Sequence, residues 1–181
     1  MKVRIALFAL LLPTLAYARA PQNTVPRPAA TPPLTGFRGE FVANLDEVQA
    51  KLMDLAQSTP ADKYSWRPAK DVRSISEVYM HIAGSNYFLA SYLGTPVPAT
   101  SDLEKSVTRK EEVIAELRRS FDHLRTAAAK TTDLEKQVKL FNNNISHRGV
   151  MLTILTHIHE HLGQSIAYAR TNGVTPPWSR Q

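Results

Sequence analysis

The chain has 181 residues, no cysteine, 43% hydrophobic residues and a formal net charge of +6. Without cysteine it can use neither disulfides nor thiolate ligands, so its stability must come from an apolar core, and any metal must be held by nitrogen and oxygen donors. The basic excess is mild and interleaved with acids, with no basic run or aromatic platform, so nucleic acid is not an expected partner.

The N-terminus reads as a secretory signal peptide over residues 1–18. Lys2 and Arg4 precede the apolar run Ile5 to Leu12, and Ala16-Tyr17-Ala18 supplies the small-residue cleavage pattern. Export to the periplasm or the extracellular space follows as an expectation. The run is shorter than the roughly 20 residues a bilayer span needs, and no later stretch supplies one, so no membrane span is expected. Cleavage after Ala18 would leave 20 of the 22 Lys and Arg residues against 16 Asp and Glu, a net charge near +4. Residues 19–33 hold Pro21, Pro26, Pro28, Pro32 and Pro33 among Ala, Thr and Gln, and read as an extended linker. Residues 34–181 remain for a single domain.

Within that domain apolar residues recur at spacings of three and four, which predicts an all-α fold of four helices. The first spans about Gly36 to Ala56, with Phe37, Phe41, Leu45, Val48, Leu52 and Leu55 on one stripe, and stops before Pro60. The second opens on Ser74-Ile75-Ser76-Glu77, a capping box, and runs to about Leu93, ahead of Gly94 and Pro96. A third begins near Thr108-Arg109-Lys110-Glu111, read as another capping box, carries Val113, Leu117, Phe121 and Leu124 inward, and fades near Lys130. The fourth runs from Ser146 to the stop at Asn172-Gly173, a length of roughly 40 Å that can cross a whole bundle.

Half of the six histidines are crowded into Thr156-His157-Ile158-His159-Glu160-His161-Leu162-Gly163-Gln164 on that last helix. Residues four apart lie about 40° apart around a helix axis, so His157 and His161 share a face, while His159 points roughly the opposite way. A strand would put all three on one face, but the helical spacing on both sides argues against it. Met151, Ile154, Leu155, Ile158, Leu162 and Ile166 form the apolar stripe, and the track through Val150, His157, His161, Ser165 and Tyr168 borders it. His81, one turn after Glu77, falls near the buried face of the second helix. Three imidazoles from two facing helices can therefore meet inside the bundle, where such folds build metal sites.

The chain resembles the DinB-like family of helical-bundle metalloproteins over roughly Phe37 to Ser179. The resemblance is carried by Tyr64-Ser65-Trp66-Arg67-Pro68, by Val72-Arg73-Ser74-Ile75-Ser76-Glu77 leading to His81, by the histidine-rich run, and by the closing Asn172-Gly173-Val174-Thr175-Pro176-Pro177. It implies a four-helix bundle, often homodimeric, in which His81, His157 and His161 bind a divalent metal; neutral imidazole is a borderline ligand, and the metal expected is Zn or Ni first, Fe or Mn next. The wider superfamily includes thiol-dependent transferases and isomerases. An exported chain departs from that picture, because such thiol cosubstrates belong mainly to the cytoplasm.

Three histidines leave a fourth metal position for water or substrate, so metal-assisted hydrolysis and thiol-type transfer on a small molecule both stay open. The zinc-protease pattern HExxH is absent, since Ile158 follows His157. The rival readings are a non-catalytic binding or stress-response module fixed by its metal, and a purely structural bundle whose histidines bind nothing. Glu160 and Gln164 are each placed to orient an imidazole. His159, His123 and His147 are read as surface residues, as are the charges of Glu112, Glu116 and Arg119. Asn86 and Tyr87 are read as core or cavity mouth, and Trp66 with Arg67 as a loop packed over one end of the bundle. No side chain is singled out as an acid or base catalyst.

Overall fold

A computed structural model describes residues 34–99 and 102–179. The expected signal peptide and proline-rich linker lie outside the described residues. Four long helices dominate: α1 (Gly36–Ser58), α2 (Ile75–Ser91), α4 (Lys110–Lys130) and α5 (His147–Thr171), with a one-turn helix α3 (Leu103–Ser106) between α2 and α4. No helix among the described residues is long and apolar enough to cross a membrane.

Each of α1 and α2 packs against both α4 and α5, so the four helices close a ring around one core. Phe41, Leu45, Leu52, Tyr79, Ile82, Leu117, Phe121, Met151 and Ile154 are almost wholly buried there. Apart from Tyr79 and Ile82 of α2, these are residues that the three-and-four spacing placed inward, and their removal from water is the main force holding the helices together.

Helix boundaries follow local chemistry. Ser74 Oγ accepts from the Glu77 backbone N–H while the Glu77 carboxylate accepts from the Ser74 N–H, so the expected capping box forms at the start of α2. Ser146 Oγ caps α5 by accepting from the Gly149 N–H at 3.2 Å. At the far end of α5, Gly173 takes φ +75°, a conformation glycine adopts without a Cβ penalty, and the helix stops. The second expected capping box does not form. Arg109 is the N-cap residue of α4 without any side-chain cap bond, and its guanidinium pairs with Glu112 instead.

The fold is mostly helical rather than all-α. Between α4 and α5 the chain makes a two-stranded antiparallel hairpin, β1 (Gln137–Leu140) and β2 (Asn143–Ser146), in the register Val138 with Ile145 and Lys139 with Asn144. Its tip residue Phe141 has φ +52°, rare for a bulky side chain, and is 69% exposed. The hairpin leads into α5, where His147 N–H donates to Lys136 O and Arg148 N–H to Leu134 O, both at 3.0 Å. His147 is consequently buried, not on the surface as expected, with its Nδ1 donating to Asp133 O at 2.8 Å.

The Tyr64–Arg73 loop lies over the start of α2, as the packing reading expected. Tyr64 OH donates to Ala56 O at 2.8 Å, and the Ser76 and Ile75 N–H groups donate to Tyr64 O and Trp66 O at 2.9 and 3.1 Å. Trp66 sets its ring edge-on to Tyr168 of α5, with centroids 5.4 Å apart. That contact seats the loop against α5 one turn beyond Gln164, where the histidine run ends.

Candidate metal centre

The structure brings His81, His157 and His161 together. One ring nitrogen from each lies within 4.8 Å of the others, a grouping of two half-buried histidines and one buried one. The α2 cap sets His81 two turns into its helix, and His157 and His161 stack on successive turns of α5. The ring centroids are 5.2 Å apart for His81 and His157, 4.8 Å for His81 and His161, and 4.6 Å for His157 and His161.

The outer nitrogens decide the chemistry. His81 Nδ1 lies 2.8 Å from Glu104 Oε1, so its proton goes to the carboxylate and Nε2 presents a lone pair. His161 Nδ1 lies 2.8 Å from Gln164 Oε1, and Gln164 Nε2 donates to Tyr168 OH at 3.0 Å. That chain fixes the amide so that its oxygen accepts, and His161 Nε2 likewise keeps a lone pair. His157 Nε2 stands 3.3 Å from His81 Nε2, while its buried Nδ1 has no hydrogen-bond partner among the described residues.

Neither tautomer of His157 satisfies this arrangement. With the proton on Nε2 the ring bonds to His81 but leaves Nδ1 bare and buried; with the proton on Nδ1 that N–H has no acceptor and two lone pairs face one another. Protonating both nitrogens is disfavoured too. Burial, then the neighbouring His161 and His81, push the His157 pKa down to about 4. Burial also lowers that of His81, against the opposing pull of Glu104. Three neutral imidazoles with converging lone pairs form a donor set compatible with a divalent cation. Two nitrogens sharing one zinc at about 2.0–2.1 Å stand at most about 4.2 Å apart, and the His81–His157 spacing already falls within that range.

Several residues stand differently from their sequence reading. Glu160 is exposed, and Gln164 alone of the two candidate orienting residues contacts an imidazole, while His159 lies on the surface as expected. Glu116 is not on an exposed face: it is 7% exposed and accepts from Tyr87 OH at 2.7 Å and from Arg119. His123 is half-buried against Tyr87 rather than on the surface. Glu104 was not foreseen. It sits 23 residues from His81 on the one-turn helix α3, a separation that carries no periodic signal, and it bridges His81 to Arg73 Nε at 2.8 Å. Burial opposes its ionisation, but the bonds from Arg73 and His81 hold its carboxyl below the ordinary range.

Solved structures of similar fold include a DinB-like protein from Bacillus cereus ATCC 10987, with a TM-score of 0.67 and 17% identity over 76% of this chain and 93% of that one. A DinB-like protein from Bacillus subtilis matches with a TM-score of 0.62 and 19% identity over 75% of this chain and 93% of that one. At such identities the likeness establishes the shared fold. No functionally curated protein matches the chain. The family model of the DinB superfamily matches residues 44–165, a span that takes in His81, His157 and His161, and the chain belongs to that family.

Proposed function

We propose that the chain binds one divalent metal ion, Zn or Ni before Fe or Mn, through His81, His157 and His161, and uses it for hydrolysis or thiol-type transfer on a small molecule. The observation that carries the reading is the surplus of lone pairs: three neutral imidazoles meet, and the buried His157 Nδ1 has no partner in either tautomer. A bound metal would supply Lewis acidity to a coordinated water or thiol. The chain's own residues supply the rest. Glu104 and Gln164 set the tautomers of His81 and His161, as outer partners of metal-binding histidines do, and Tyr168, in edge-on contact with Trp66, accepts from Gln164.

The test is metal content per chain, by mass spectrometry, on untagged protein purified without chelator. Near one equivalent in the native chain and almost none in a His157→Ala, His161→Ala variant supports the centre. Absence of metal from both, after addition of Zn, Ni, Mn or Fe, overturns it. The non-catalytic reading, a metal-stabilised binding or stress-response module, predicts the same metal content but no exchangeable water on the metal. We extend the proposal to export directed by residues 1–18, for which N-terminal sequencing of the mature protein should begin at Arg19. It extends also to a homodimer, supported by the exposed Phe88 and Phe141, whose rings lie 5.9 Å apart and offer an apolar face, and testable by sedimentation.

A further inference from the structure

An open cleft of about 500 Å³ adjoins the histidine cluster. It is lined by Arg67 and Arg73, by the carboxylates of Asp71, Glu77 and Glu104, and by Gln164. Glu104 and Gln164 are the residues that hold His81 and His161, so the cleft and the cluster share a wall.

Most of the polar groups in that wall are already committed. Glu77 accepts from Ser74 N–H at 2.6 Å and from Arg67 Nη2 at 3.0 Å, and Arg67 Nη1 donates to Val72 O at 3.0 Å. Glu104 divides its two oxygens between His81 and Arg73. Gln164 spends both ends of its amide on His161 and Tyr168. Arg73 differs. Its Nε donates to Glu104 at 2.8 Å, its side chain is 42% exposed, and its Nη groups make no hydrogen bond among the described residues.

A guanidinium is permanently charged and presents a planar fork of donors matched to carboxylate or phosphate oxygens. Glu104 holds this one in place, one carboxylate and one imidazole away from the ring nitrogens of the cluster. Its charge also acts on both His81 and His157. Two guanidinium groups and three carboxylates with a divalent cation give the cleft one net positive charge. Asp71, exposed on the loop at φ +65°, is the one acceptor that could favour a cation instead.

We propose that Arg73 is the specificity-determining residue of this cleft, receiving a carboxylate or phosphate group at one end of a small substrate whose other end reaches the three-histidine centre. The proposal rests on the reading of that cluster as a metal centre. Its test uses the full chain loaded with Co(II), titrated with three thiols of similar reach: 3-mercaptopropionate, 2-mercaptoethanol and cysteamine. The thiolate-to-cobalt absorption band reports binding.

The anionic thiol is expected to half-saturate at a concentration about tenfold lower than the neutral one, the advantage a single charge-assisted hydrogen bond confers. Arg73→Gln should abolish that preference while leaving 2-mercaptoethanol binding in place, and Arg73→Lys should keep part of it. If Arg73→Gln also loses cobalt, the Lys variant decides, because it keeps the charge. Equal affinities, a preference for cysteamine, or an anion preference that survives in Arg73→Gln would overturn the proposal. No cobalt uptake by the native chain would overturn the metal reading and this proposal together, and is distinguishable because no thiol then gives a band.

Discussion

Helix α2 carries two polar seams, one against α5 and one against α4, and they are built on opposite principles. Against α4, donors meet acceptors: Tyr87 OH donates to Glu116, Arg119 donates to the same carboxylate, and Asn86 Nδ2 donates to Ser120 Oγ at 3.0 Å. Burial, then the Glu116 hydrogen bond, push the Tyr87 phenol far above its ordinary range, so it remains a donor at every physiological pH. Asn86 Oδ1 and His123 Nε2 are left over, but among the described residues no group of three His, Asp or Glu ligands includes His123. Against α5, acceptors meet acceptors. A buried polar group stabilises a fold when it is paired and costs energy when it is not. The α4 seam therefore reads as scaffold, and the α5 seam as a place that gains from a cation.

The comparison breaks most directly at Glu116. Glu116→Ala would leave Tyr87 OH buried without an acceptor and free Arg119, at a cost of about 3 kcal/mol in unfolding free energy. Metal content should remain that of the native chain. The converse holds for His157→Ala, which removes the unpaired Nδ1 with the ring and should empty the centre while costing the metal-free protein far less than Glu116→Ala does. Denaturant unfolding of the metal-free proteins beside their metal content measures both. A Glu116→Ala chain that loses metal in step with stability would show the two seams to be one unit.

A pH series sharpens the same contrast. The folded-state pKa of His157 is depressed from 6.5 to about 4, so between those values the unfolded chain binds the extra proton and the folded chain does not. Stability of the metal-free protein should therefore fall as pH drops from about 6.5 toward 4, by an amount on the order of 2 kcal/mol, and level off below. His157→Leu should flatten that slope. A variant of the α4 seam that adds no titratable group, such as Asn86→Leu, should leave it in place.

Glu104 offers a graded version. Glu104→Gln keeps the shape of the side chain but removes the charge that fixes the His81 tautomer and braces Arg73. Metal affinity is expected to fall about 10- to 100-fold, the usual cost of losing an outer partner of a metal-binding histidine. Competition with a chelator of known affinity reads the change. Unchanged affinity would mean that α3 covers the site without tuning it.

Much of this was legible in the sequence because it depends on spacing along one chain segment. Three apolar stripes, the Ser74 capping box, the Gly173 stop and the pairing of His157 with His161 are all local patterns, and a helix converts such spacing directly into faces. What was hidden depends on contacts between distant segments. Glu104 reaches His81 from a one-turn helix with no periodicity. The hairpin has strands of four residues and a Phe141-Asn142 turn without the Asn-Gly or Asp-Gly signature, and the segment before it supplies the Asp133 carbonyl that His147 meets. Glu116 looked like one of several helix-surface charges until Tyr87 arrived from α2. Charged side chains are ambiguous in this way because their burial is set by a partner, not by their own helix.

The smallest effect tests the element that both seams share. Ser74→Ala removes the side-chain half of the α2 capping box while leaving the Glu77 carboxylate on the Ser74 backbone N–H. Such a loss costs about 1 kcal/mol of helix or protein stability. His81 lies seven residues into the chain from that cap, and Asn86 and Tyr87 one to two turns further on. If the cap contributes only stability, unfolding should shift by that amount, with metal affinity and the Tyr87–Glu116 network unchanged. If the cap also fixes the depth at which α2 enters the bundle, His81 should respond first, because its Nδ1 must stay within hydrogen-bonding distance of Glu104 while its Nε2 stays beside His157. A fall in metal affinity larger than the fall in stability would assign the capping box to the site; equal falls would assign it to the scaffold.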